Sequence, residues 1–279
     1  MIPAPFDYQR ASSVDEAIEL LRQHGEDAKL LAGGHSLLPL MKLRLAQPSV
    51  LVDIGRIADL SYVSETPADG RVLRIGALTR HHDLATSELV REQVPLLAHV
   101  AGRIGDPQVR HRGTIGGSVV HGDPASDLPA ALLALRATLV VRGPAGERSI
   151  PADEFFTGFL ETAIAPDEVL TEIRVPAVPG VGWAFEKFNR RAQDWAIVGV
   201  AAVMTDGAGG PGVGLVNMGP QPMRAAGVEE ALRAGASLGE AAARADEGTD
   251  PPTDLNGSAE YRRHLARVLV RRALETASG

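Results

Sequence analysis

The 279-residue chain contains no cysteine, and that absence removes whole classes of chemistry. It can form no disulfide, no zinc–thiolate site and no thiolate-held iron–sulfur cluster from its own residues. Any redox role must run through a bound cofactor. Aromatic residues are scarce at 4%, so each tryptophan asks for a reason. For Trp195 the ordinary reading is a core side chain, and the other is a flat indole laid against a planar ring.

Positive charge is also lacking. A formal net charge of -7 argues against a nucleic-acid binder, which needs clustered Lys and Arg against phosphates. The one basic run, Arg262-Arg263 with Arg267 and Arg271-Arg272, falls on an expected C-terminal helix and reads as a solvated face, with a docking surface as the alternative. No apolar run of about 18 residues could span a membrane, and the N-terminus lacks the basic-then-apolar signal pattern. A cytoplasmic location is expected.

Several catalytic signatures are missing too. No G-x-x-x-x-G-K-[ST] supports phosphoryl transfer, and no G-x-S-x-G supports a hydrolase elbow. A literal G-x-G-x-x-G at Gly207–Gly212 contains Pro211 and precedes strand-like Val213-Gly214-Leu215-Val216, so it reads as a hairpin loop. His81-His82 lacks a third histidine at helical spacing; Thr79 is expected to cap the helix they begin.

What the chain does have is two glycine-rich stretches, Ala32-Gly33-Gly34-His35-Ser36 and Thr114-Ile115-Gly116-Gly117-Ser118. Each removes the Cβ atoms that keep a backbone away from an anion, so N–H groups can face a phosphate. The hydroxyls of Ser36, Thr114 and Ser118 supply further donors. The pair suggests a dinucleotide cradle. Behind the second stretch, Asp127 is either an N-cap for the helix holding Pro129 to Leu135 or an acceptor for a ribose diol.

The pattern divides the chain in three. Over 1–56, Ser13 and Glu16 have capping-box spacing before a helix stopped by Gly25, Lys29 to Leu31 is a strand, Ser36 is expected to cap a helix through Met41, and Val50 to Ile54 is a buried strand. Over 57–176 the texture is α+β, with strands at Arg71–Ala77 and Ala137–Arg142 and helices at His81–Arg91 and Pro129–Leu135. Pro176, Pro179 and Gly180 form a linker. Residues 177–279 hold strands at Trp183–Phe188 and Ala196–Met204, then a helical tail from Val228.

In order, Ala32-Gly33-Gly34-His35-Ser36-Leu37 with Pro39, Met41 and Arg44, then Asp106-Pro107-Gln108-Val109-Arg110, Thr114-Ile115-Gly116-Gly117, Asp123-Pro124 and Asp127 closely resemble the FAD-binding medium subunit of molybdenum hydroxylases. This is the flavoprotein of the carbon monoxide dehydrogenase and xanthine dehydrogenase family. The resemblance covers nearly the whole chain. It implies an α+β fold: a PCMH-type, vanillyl-alcohol-oxidase-like FAD-binding region of two subdomains, then a CO dehydrogenase flavoprotein-like C-terminal domain of antiparallel sheet and helices.

The resemblance also implies site residues. Leu31, Ala32, Gly33, Gly34, His35, Ser36 and Leu37, with Thr114, Ile115, Gly116, Gly117 and Ser118, are expected to hold the pyrophosphate of noncovalent FAD. Ile104 and Val120 line the cleft, Asp127 contacts ribose or adenine, Leu170 and Lys187 lie near the cofactor, and Trp195 sits beside the isoalloxazine. Neither a catalytic acid–base residue nor a metal ligand is implied. The implied partners are a large molybdopterin subunit and a small subunit with [2Fe-2S] clusters, assembled as a dimer of heterotrimers, a heterohexamer. Electrons then pass from those clusters through FAD to an external acceptor. Two rivals stand beside this: a self-contained flavin oxidase with FAD attached through His35, and a nonenzymatic binding protein that kept the fold.

Overall fold

A small parallel sheet comes first. In the computed structural model, which describes residues 2–66, 72–205 and 209–279, the order is strand β1 (Asp7–Arg10), helix α1 (Val14–His24), strand β2 (Ala28–Leu31), helix α2 (Leu37–Lys42) and strand β3 (Val50–Asp53). β3 lies between β1 and β2 and runs parallel to both. A strand so enclosed is continuously apolar, as Val50-Leu51-Val52 is. The Ser13 hydroxyl caps α1 by accepting from the Glu16 N–H at 3.1 Å, and Gly25 ends it at φ 55°. The capping box is only half made, because the Glu16 carboxylate turns to the N–H and hydroxyl of Ser12. Ser36 differs from expectation: it precedes α2 but makes no side-chain capping bond.

The second unit is an antiparallel sheet covered by short helices. Strands β4 (Val63–Glu65) and β5 (Val72–Gly76) lead into α3 (His81–Thr86), α4 (Glu88–Gln93), α5 (Pro95–Gly102), α6 (Pro107–Arg112), α7 (Ile115–His121) and α8 (Asp127–Ala134). Strands β6 (Thr138–Gly143) and β7 (Gly146–Pro151), the one-turn α9 (Ala152–Phe155), the hairpin β8 (Phe156–Gly158) and β9 (Glu161–Thr162), and β10 (Val169–Pro176) complete it. The sheet order is β4-β5-β10-β6-β7. Arg71, expected in a strand, lies outside the described residues. The single helix expected over His81–Arg91 is broken at Ser87, whose hydroxyl accepts from the Val90 N–H and starts α4. Thr79 does not cap α3, because its hydroxyl is engaged by both backbone groups of Tyr62.

The third unit packs β11 (Gly182–Phe188), β12 (Val198–Met204), β13 (Gly212–Val216) and β14 (Met223–Arg224) in that order, all antiparallel, beneath α10 (Ala226–Arg233), α11 (Leu238–Ala242) and α12 (Ala259–Ala277). The G-x-G-x-x-G segment joins β12 to β13, which makes it a hairpin connection; its first two residues, with Asp206, lie outside the described residues. Glycines let β13 rest directly on α8: a Cβ on Gly212 or Gly214 would stand 2.0 Å from the carbonyl oxygen of Ala134 or Ala130. Beside that seam, fully buried Glu229 accepts from the Val213 N–H and pairs with Arg136, Arg224 and Arg233.

The basic run on α12 is not uniformly solvated. Arg262 is completely buried, whereas Arg263, Arg267 and Arg271 are exposed enough to pair at the surface with Asp250, Asp246 and Glu275. No described helix is long and apolar enough to cross a membrane.

Candidate cofactor site

The fold brings the two glycine stretches face to face. The first leaves the sheet where Leu31 ends β2, its carbonyl accepting from the Ile54 N–H at 3.0 Å. Gly33 lies so close to the chain entering the second stretch that a Cβ there would sit 2.2 Å from the Arg112 carbonyl oxygen. Gly34 takes φ +79°, a left-handed conformation that glycine adopts freely. Across the gap, a Cβ on Gly117 would point to within 3.9 Å of the Ala32 side chain. Residues about eighty positions apart in sequence thus become neighbours.

The two stretches offer different chemistry. No described residue accepts from the backbone N–H groups of Gly33, Gly34, His35 or Ser36. In the second stretch every corresponding donor is already engaged. Ile115 N–H donates to Thr79 O and Gly116 N–H to Ala77 O, while Gly117 N–H donates to the Thr114 hydroxyl and Ser118 N–H to Thr114 O. The expectation of two equivalent amide cradles is therefore corrected. The first loop carries free donors; the second is a joint that seats α7 on the sheet, and Gly116 is glycine because a Cβ would meet Ala77 O at 2.6 Å. Thr114, buried, is consumed as the α7 cap, and Ile115 lies wholly in the core. What the second stretch presents to the gap is exposed Gly117 and the Ser118 hydroxyl, which lies 2.8 Å from the Ser126 hydroxyl. His35 is exposed, Ser36 and Leu37 partly so.

Ser126 leads directly to Asp127, which is not the N-cap but the first residue of α8. Its carboxylate is 5% exposed and paired through Oδ2 with the Lys187 ammonium at 2.6 Å. Lys187, equally buried, comes from β11 and also reaches the Arg103 carbonyl oxygen at 3.4 Å, beside partly buried Ile104. The second carboxylate oxygen, Oδ1, is buried with no partner. An unsatisfied buried acceptor costs on the order of 1–3 kcal/mol, so this oxygen is a place for a donor to arrive. Burial pushes the Asp127 carboxyl above the usual carboxylate range, while the Lys187 ammonium pulls against it.

Val120 stands exposed on α7. Leu170 does not face a cleft: its side chain is in the core of the second unit. The core reading of Trp195 fails, since the indole is 67% exposed. It lines a groove of about 860 Å³ between the Asp123-Pro124 turn that follows α7, Asn217 after β13, and the Pro251–Asp254 loop. Neither Asn217 nor Arg262 was legible as a site residue; a polar residue directly after a strand is the only sequence signal for the former.

The histidine pair diverges as adjacent helical residues must. His81 is buried against Gly113, and that burial lowers its pKa to about 4; His82 stacks on His111 with ring centroids 4.1 Å apart. Among the described residues, no cluster of three His, Cys, Asp or Glu side chains could hold a metal.

Free amide donors on one side, a glycine whose Cβ would fill the gap on the other, and a buried carboxylate oxygen without a donor fit a nucleotide carrying both a pyrophosphate and hydroxyl groups. Known proteins agree. Residues 4–178 match the family model described as the FAD binding domain in molybdopterin dehydrogenase, and residues 183–277 match the CO dehydrogenase flavoprotein C-terminal domain. The chain belongs to the FAD-binding medium-chain family of molybdenum hydroxylases. It is 46% identical to the carbon monoxide dehydrogenase medium chain of Hydrogenophaga pseudoflava over 99% of this chain and 98% of that one. The solved carbon monoxide dehydrogenase of that organism superposes with a TM-score of 0.95 over 100% of this chain and 99% of that one. Quinoline 2-oxidoreductase from Pseudomonas putida 86 superposes at 0.90 with 32% identity, covering 100% and 99%. As a family member the chain is an FAD-binding oxidoreductase component, the medium subunit of a multi-subunit molybdenum hydroxylase. The self-contained oxidase and nonenzymatic readings are set aside.

Proposed function

We propose that this chain is the electron outlet of its enzyme, taking electrons from [2Fe-2S] clusters on a small partner subunit and delivering them to an external acceptor. A large molybdopterin subunit carries out substrate oxidation, and the assembly is a cytoplasmic dimer of heterotrimers. The observation that carries the reading is the division between the unpaired N–H groups of Gly33–Ser36 and an open groove at Trp195, in a chain with no cysteine of its own.

In this reading the segment Leu31 to Leu37 holds the FAD pyrophosphate through the free N–H groups of Gly33, Gly34, His35 and Ser36. Gly117 forms the opposite wall, seated from behind by Thr114, Ile115 and Gly116, and Ser118 adds a hydroxyl. Asp127 Oδ1 accepts from a ribose hydroxyl or the adenine amine, with Lys187 holding the carboxylate in place. Ile104 and Val120 line the cleft; only the backbone of Leu170 is left to be close to the cofactor. Trp195 covers one face of the flavin ring from the third unit. The divisions 1–56, 57–176 and 177–279 thereby supply the cradle, the joint and acidic contact, and the cover. Bound FAD supplies the capacity to accept and release electrons singly or in pairs, and the protein sets its position and surroundings.

The test is purification from the native host. A large molybdopterin subunit and a small cysteine-rich [2Fe-2S] subunit are expected to copurify with this chain and with acid-extractable flavin. Recovery of the chain alone with full oxidase turnover would overturn the proposal.

A further inference from the structure

Trp195 is exposed, yet the backbone beneath it is held from three directions. The Asn217 side-chain amide donates to the carbonyl oxygens of Ala196 and Ile197, at 3.1 and 3.3 Å. The Ile197 carbonyl also accepts from Nη1 of Arg262, while the Ile197 N–H donates to Phe188 O at 2.8 Å. On the near side, the Asn189 amide donates to Arg191 O at 2.6 Å and folds the 190–194 loop back on itself.

Both anchoring residues reach across the groove. The Asn217 backbone N–H donates to Pro124 O at 2.7 Å, so one residue spans from the acidic turn behind the second glycine stretch to the segment carrying Trp195. Arg262 does the same for the opposite wall. Its Nη2 is 2.7 Å from Asp254 Oδ1, and that oxygen also accepts the N–H groups of Asn256 and Gly257. One buried guanidinium therefore fixes the Trp195 segment and the Asp254 loop together.

The cost of this arrangement argues that it serves the groove. Arg262 has no exposed side-chain surface, and its Nε–H finds no acceptor. Burying a cation with an unpaired donor is expensive where an apolar side chain would pack as well. Asn217 holds φ +61°, a left-handed conformation that side chains other than glycine, asparagine and aspartate resist. The costly buried cation and the left-handed asparagine converge on the same carbonyl oxygen, Ile197 O, two residues from Trp195.

We propose that Asn217 and Arg262 are positioning residues that form a clamp fixing the height of Trp195 over the flavin ring, coupled through Pro124 to the turn between α7 and α8. The inference rests on the proposed placement of Trp195 beside the flavin. The clamp sets how the indole meets the ring; it does not itself bind FAD.

Bound-flavin fluorescence reads this directly, because an indole stacked on the ring quenches it. The test uses the FAD-loaded protein purified with its native partner subunits, comparing Asn217→Gly, Arg262→Met and Trp195→Leu. Asn217→Gly keeps the left-handed backbone and the Pro124 bond while deleting the amide. The expected result is near-stoichiometric FAD in all three, several-fold brighter bound flavin in Trp195→Leu, and a substantial part of that rise in Asn217→Gly. Arg262→Lys, which keeps a donor for Ile197 O and Asp254, is expected to restore quenching lost in Arg262→Met. Should Trp195→Leu leave the fluorescence unchanged, the placement of Trp195 beside the flavin fails. If it brightens while Asn217→Gly and Arg262→Met stay as quenched as the parent, that placement stands and the clamp is refuted. Should Arg262→Met not fold, Asn217→Gly alone decides the matter.

Discussion

The Asp127–Lys187 pair allows structural and ligand roles to be separated by experiment. Both side chains are buried, their charged atoms 2.6 Å apart, and Asp127 Oδ1 is left without a donor. Removing one partner strands the other charge in a low-dielectric setting, at a cost of about 3–5 kcal/mol. Lys187→Met and Asp127→Asn should each lower the unfolding free energy of the FAD-free protein by that order. Replacing both, as Asp127→Leu with Lys187→Met, removes two desolvated charges at once and should recover most of the loss. FAD should behave differently. A hydrogen bond to a charged acceptor is worth about 1.5–3 kcal/mol, so loss of Asp127 Oδ1 should weaken FAD binding roughly 10- to 100-fold even in the stable double variant. Denaturant titration gives the first quantity and FAD titration of the apoprotein the second. A double variant with restored stability and parental FAD affinity would show that Asp127 is only half of an ion pair. Single variants as stable as the parent would refute the buried-pair energetics.

Glycine substitutions should separate the two stretches. Gly33→Ala places a Cβ 2.2 Å from a backbone oxygen, so FAD should be lost together with about 1–3 kcal/mol of stability. Gly117→Ala brings a Cβ to 2.7 Å from the Thr114 hydroxyl that caps α7 and to 3.9 Å from the Ala32 side chain, so it should weaken FAD binding and cost about 1 kcal/mol of stability, the worth of that cap; a stability loss larger than that of Gly33→Ala would contradict this. Acid should act through His81, whose pKa falls from 6.5 to about 4 on folding. Because the folded value is depressed, the stabilisation is present above pH 6.5 and is lost as pH falls through 4, a total of about 3 kcal/mol. His81→Phe should flatten that part of the unfolding free energy between pH 7 and 4; a slope identical to the parent's would sink the assignment.

Local signals were legible in the sequence where the chemistry is local. Ser13 capping α1, the stop at Gly25 and the run Val50-Leu51-Val52 all depend on neighbours within a few residues. The glycine stretches were visible as a pair, yet their unequal roles were not. Gly116 is glycine because of Ala77, and two donors of the second stretch, the N–H groups of Ile115 and Gly116, are taken by Thr79 and Ala77, about forty positions upstream. Arg262 was hidden for a similar reason. Within a run of arginines it resembles its solvated neighbours, and only the fold brings Ile197 O to it from 65 positions away. Asp127 could be read as a cap or a ligand because Lys187, which occupies one of its oxygens, lies 60 positions on.

The central claim is that the free N–H groups of Gly33, Gly34, His35 and Ser36 hold the pyrophosphate of a noncovalently bound FAD. A crystal structure of the FAD-loaded protein tests it most directly. The account predicts pyrophosphate oxygens within about 3 Å of at least two of those nitrogens, and no bond from His35 to the flavin. A pyrophosphate lying elsewhere, with those four groups facing only water, would contradict it.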